Sequence, residues 1–158
     1  MPSTRRKIVL GLGNILNRDE GLGVHALRLL QKEIEGSSSF ECLDGGVLGL
    51  DLLPLVENSS HVLILDAVQA GKPAGTLIEL DKREIPLFRH IKLSEHQITF
   101  QEVLGLAQIR DNMPAHLTLL GIQPDDLSIG TELSPPVQSS MDALISRAKA
   151  ILSQWESA

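Results

Sequence analysis

At 158 residues the chain reads as one domain, residues 1–158, able to bury about 68–70% of the surface its unfolded form exposes, so no disulfide or structural metal is needed to hold it. A formal charge of −6 with scattered Lys and Arg argues against nucleic acid or an anionic membrane as partner, and no apolar run approaches the ~18–20 residues of a bilayer span. The single Cys42 excludes an internal disulfide framework, and the apolar stretch behind Arg5-Arg6 is broken too early for an export signal, so a cytoplasmic location is expected.

Apolar residues switch repeatedly between short continuous runs and helical spacing, which predicts strands alternating with helices. Strand 1 is expected at Lys7–Leu12, helix 1 at Leu22–Ile34 and strand 2 at Phe40–Leu43. A second helix follows at Leu50–Val56, then strand 3 at Val62–Ala67. The connection "QAGKPAG" is too short for a crossover helix, so strand 4, at about residues 76–80, should return antiparallel. Ser94 and Gln97 form a capping box that would open a helix running to Ile109. "HLTLLGI" is strand 5, and Ser134-Pro135-Pro136 starts a last helix ending near Trp155. The predicted fold class is α/β: a three-layer α/β/α arrangement around a mostly parallel five-stranded sheet. Ligands of such sheets bind beyond the strand carboxyl ends, so function is expected in the loops after strands 1, 2, 3 and 5.

The loop after strand 1, "GLGNILNRDEGLG", resembles a phosphate cradle but lacks its chemistry. Leu16 stands where a dinucleotide fingerprint has its third glycine, and the Lys-Ser/Thr ending of a P-loop is absent. A helix N-terminus favours an anion by roughly 0.3–2 kcal/mol, whereas a carboxylate about 5 Å from a phosphate costs on the order of 3 kcal/mol at an effective dielectric of about 20. With both Asp19 and Glu20 present, the loop suits a cation. One of the two acids can cap helix 1, which leaves Glu20 free to project into the loop. Asp66 closes strand 3, and if strands 1 and 3 are neighbours it emerges beside Glu20. His96, at the expected start of the third helix, can join them; His25, His61, His90 and His116 lie away from that edge. Two oxygens and one nitrogen suit a borderline divalent ion such as zinc, nickel or iron. Asp44 in "CLDGG" has three readings that stand open: a turn residue, a ribose-binding acid or a catalytic carboxylate. Cys42 is expected in the core.

The motifs "GLGNILNRDEGLGV", "LDGG", "LILDA", "SEHQ", "LLGIQP" and "LSPPV", in that order, resemble those of the maturation endopeptidases of nickel–iron hydrogenases. The resemblance covers the chain from Lys7 onward. It implies an α/β/α fold with one antiparallel strand, and an aspartyl-type protease that removes a C-terminal extension from the hydrogenase large-subunit precursor once nickel is inserted. It further implies that Glu20, Asp66 and His96 are metal ligands and that the nickel they engage is carried by the substrate, although zinc can occupy the site in its absence. Asp44 is the candidate to assist proton transfer, and a monomer is expected. A non-enzymatic nickel carrier or sensor using the same ligands is the rival reading.

Overall fold

The computed structural model describes residues 5–46, 49–85 and 99–157. The first strand, Arg6–Leu12 (β1), lies between Glu41–Gly46 (β2) and Ser59–Ala67 (β3), the middle strand of the sheet. Leu77–Asp81 (β4) and His116–Ile122 (β5) complete one sheet in the order β2-β1-β3-β5-β4. Pairing is parallel except for β4 against β5, as the short β3–β4 connection predicts.

Helices Leu22–Ile34 (α1) and Pro135–Ser157 (α4) cover one face of the sheet; Leu52–Glu57 (α2) and Phe100–Ile109 (α3) cover the other. The reason lies in the side-chain alternation of the strands. Val9, Leu63, Leu65 and Leu120 pack with Leu22, Ala26, Leu30, Met141 and Leu144, whereas Ile8, Leu10, Val62, Ile64 and Leu119 pack with Leu52, Val56, Val103 and Leu104. Strands buried on both faces must be apolar at every position, hence "KIVL" and "HVLIL". Each buried Leu or Ile contributes about 1.5–3 kcal/mol relative to exposure, so the loss of Leu30 alone would loosen α1 from the sheet.

Helix α1 matches its expected bounds, and the strands lie within a few residues of theirs. The second helix begins as a 3₁₀ turn, Gly49–Asp51, before α2. Helix α3 starts later than expected: its N-cap is Thr99, whose hydroxyl accepts the Glu102 amide at 3.3 Å. Ser94 and Gln97, on which the earlier start was based, lie outside the described residues, as do His90 and His96.

β1 hands the chain to β2 on one side and pairs with β3 on the other, so the order reverses between β1 and β3. Register sets Gly11 beside Leu65, bringing the loop after β1 to the end of β3. The opposite edge is capped by aromatic rings: His61 and His116, partners in register, stack at 4.3 Å with Trp155 and Phe40 against them.

Candidate active site

The chain leaves β1 through Gly13, whose φ of +112° is open to glycine and strained for other residues. Asn14 then folds the loop on itself, its side-chain oxygen accepting the Leu16 amide at 2.9 Å. The 3₁₀ turn Arg18–Gly21 follows and packs against β3. Within it Glu20 is buried, its carboxylate accepting the Asn14 amide and thereby fastening both ends of the loop. Gly23 lets α1 start hard against the sheet; a Cβ there would sit 2.5 Å from the Leu12 carbonyl oxygen and closer still to that of Leu65.

Asp19 does something else. Capping was expected of one acid of the pair, yet the N-cap of α1 is Gly21, with no side-chain cap. Asp19 is fully buried and turns toward the connection between β5 and α4. Its Oδ2 accepts the amides of Asp125 and Asp126, both at 2.9 Å, and the Ser134 hydroxyl at 2.6 Å; its Oδ1 accepts the Ser134 amide at 2.8 Å. Main-chain bonds continue the seam: Arg18 N–H to the Gly130 carbonyl at 3.0 Å, Gly130 N–H to that of Leu16 at 2.9 Å and Asp19 N–H to that of Asp126 at 3.0 Å. Arg18 adopts φ +40° to meet it.

Asp66 lies at the end of β3, 2% exposed, on the face it shares with Val62 and Ile64. Its Oδ1 accepts the Ala67 amide at 2.8 Å, but burial outweighs that bond and pushes its carboxyl up to about 8. A cation beside it would reverse the balance. The segment after Asp66 is held by buried Gln123, whose Oε1 accepts the Ala70 amide at 2.8 Å and the Lys72 amide at 3.3 Å. Neither Asp19 nor Gln123 stood out as functional from residue type. The signal available was positional: each lies in a motif, "NRDE" or "GIQP", at a strand carboxyl end.

The structure therefore brings Glu20 and Asp66 to the same edge, over β1 and β3. Asp44 lies near the end of β2, exposed, paired in register with Gly11. A Cβ at Gly11 would meet Leu27 of α1, so Asp44 shares the α1 side of the sheet while Asp66 faces the α2–α3 side. Cys42 is half-buried against the α1–α4 core, where burial pushes its thiol up. His96 lies outside the described residues. Among the described residues no three His, Cys, Asp or Glu side chains converge as a ready metal site, and no helix is long and apolar enough to cross a membrane. A groove of about 690 Å³ lined by Arg28, Lys32, Phe40 and Cys42 runs beside α1 and β2, not over the acid pair.

Fold and site together define an open α/β/α protein that presents two buried acids at its topological switch point. Residues 24–151 match the family model of HycI, hydrogenase maturation protease. The chain is 40% identical over 156 residues to the hydrogenase expression/formation protein HupD of Rhizobium leguminosarum bv. viciae, covering 98% of this chain and 77% of that protein. It is 34% identical over 148 residues to the hydrogenase 2 maturation protease of Escherichia coli K12, covering 93% and 90%. The solved hydrogenase maturating endopeptidase HybD from E. coli superposes with a TM-score of 0.83 at 32% identity, covering 94% and 93%. The chain belongs to the hydrogenase maturation protease family, and it is an endopeptidase of hydrogenase maturation.

Proposed function

We propose that this endopeptidase removes the C-terminal extension of a nickel–iron hydrogenase large-subunit precursor after nickel insertion, recognising the substrate's nickel through Glu20, Asp66 and His96. The observation that carries this reading is the convergence of Glu20 and Asp66, 46 residues apart in sequence, as buried acids at one sheet edge. Burial disfavours the ionised form of an acid through lost hydration, and it raises the carboxyl of Asp66 accordingly; a divalent cation beside it favours the carboxylate again. Recognition of an ion that only the loaded precursor supplies restricts cleavage to nickel-containing substrate.

Glu20, Asp66 and His96 would hold the substrate's nickel and so fix the adjacent peptide at the edge, where the ion would supply Lewis-acid polarisation of a carbonyl or a water. Asp44 is proposed to assist proton transfer from the neighbouring strand end; its exposure leaves it open to substrate and solvent. The protein is proposed to act as a cytoplasmic monomer, and zinc is proposed to occupy the ligands when no substrate is bound.

The test is to incubate the protein with nickel-loaded and nickel-free large-subunit precursors and compare their masses. Loss of a C-terminal peptide from the loaded form alone is the expected result. Cleavage of both forms would remove nickel from the recognition step, and cleavage of neither would remove the substrate assignment.

A further inference from the structure

The mechanism above leaves unused the most heavily bonded buried acid of the loop. We infer that Asp19 is a positioning residue: its carboxylate holds Glu20 at the height that metal recognition requires, by pinning the Asn14–Gly21 loop to the connection between β5 and α4. The inference rests on the proposed nickel-docking role of Glu20.

The loop has little internal support of its own. Its described internal bonds are the Asn14 side-chain turn, the Asn17 N–H to Asn14 carbonyl and Glu20 N–H to Asn17 carbonyl bonds, and the Glu20 carboxylate on the Asn14 amide. What fixes it in space is the seam with residues 125–134, and Asp19 makes four of the bonds in that seam. The same connection begins with Gln123, which holds the segment following Asp66. One rigid span thus bears on both acids, one through each clamp.

Chemistry at Asp19 explains why a carboxylate is needed. All four groups facing it donate, three of them backbone or hydroxyl donors on Oδ2 and one a backbone amide on Oδ1. Asparagine offers one acceptor oxygen, so either amide orientation sets an NH₂ against at least one donor. The loop must then lift from the connection, carrying Glu20 with it. Displacing a recognition group by about 1 Å costs on the order of a hundredfold in rate.

The Asn14 amide is a built-in reporter, because the Glu20 carboxylate protects it from exchange. Amide hydrogen exchange by NMR is measured for the parent protein, Asp19→Asn and Ser134→Ala, alongside cleavage of nickel-loaded precursor. In Asp19→Asn, Asn14 exchange should rise at least about tenfold relative to the amides of β1 and β3, and cleavage by folded protein should fall at least about tenfold. Ser134→Ala removes the hydroxyl bond alone and should show the same pattern about threefold; it carries the test if Asp19→Asn does not fold. Asn14 exchange that rises only in step with the amides of β1 and β3 would show a merely structural role and overturn the inference, as would cleavage within about twofold of the parent. Failure of the parent to cleave the precursor would instead refute the functional reading, and the Asn14 exchange would still decide whether Asp19 positions Glu20.

Discussion

Replacing Gly23 with alanine sets two physical effects against each other. Gly23 is the second residue of α1, where helix propensity alone favours Ala over Gly by about 0.8–1 kcal/mol. The packing argues the other way. A Cβ would stand 2.5 Å from the Leu12 carbonyl oxygen, against about 3.3 Å for the closest ordinary carbon–oxygen contacts, and it would overlap the Leu65 carbonyl more deeply. Both carbonyls belong to the C-terminal ends of central strands, where neither can yield cheaply. Overpacking of this kind costs about 1–3 kcal/mol and occasionally more; with two backbone contacts the upper end applies, leaving a net loss of about 2 kcal/mol after propensity is credited. Urea unfolding followed by circular dichroism should show the midpoint falling by about 1 M, taking a slope near 2 kcal/mol/M. The relief available to the mutant is to slide α1 outward, which also moves Glu20 away from β3, so precursor cleavage should fall as well. An unchanged or raised midpoint would mean that helix propensity outweighs the close approach, and would refute the reasoning.

Other perturbations separate chemistry from stability. Glu20→Gln and Asp66→Asn each keep the side-chain size while removing a proposed anionic ligand, so each should unfold cooperatively yet lose cleavage of nickel-loaded precursor by about a hundredfold or more; mass spectrometry of the precursor reads this directly. Gln123→Ala removes the acceptor of two amides and should cost about 2 kcal/mol, with faster proteolysis between Gln69 and Gly75; an unchanged digestion pattern would deny the clamp. Burial, with His116 and Lys7 adding to it, holds the His61 imidazole below its ordinary value. The unfolded chain then takes up that proton more readily, so the contribution of His61 is intact above about pH 6.5 and declines as pH falls below it. His61→Gln should therefore lose less stability than the parent between about pH 7.5 and 5.5 in urea unfolding, and equal losses would contradict the assignment.

Much of the fold was legible because its signals are local. Double-sided burial of β1 and β3 forces continuous apolar runs, and the nine turn-rich residues between β3 and β4 leave no room for a crossover, which fixes the one antiparallel strand. The sheet-edge placement of the two proposed site acids was legible where a carboxylate ends an apolar strand, as at Asp66, or interrupts a glycine loop, as at Glu20. The role of Asp19 was not. An acid just before a helix reads as a cap, and nothing local says that its partners lie beyond Gln123. Ser134 was legible only as the residue before the last helix, which does start at Pro135; nothing local says that its hydroxyl donates to Asp19. Sequence neighbours cannot report either side chain's role, because their bonds run across the sheet edge.

The Asp19–Ser134 pair spans 115 residues of chain. The loop that carries Glu20 is synthesised early but acquires its scaffold only when the stretch after β5 has emerged and folded back. N-terminal fragments, nascent or truncated, therefore carry Asp19 and Glu20 without the partners that Asp19 bonds in the whole chain. For an enzyme that severs peptide bonds, the proposed role of Glu20 would make this late closure a delay on cutting by incomplete copies.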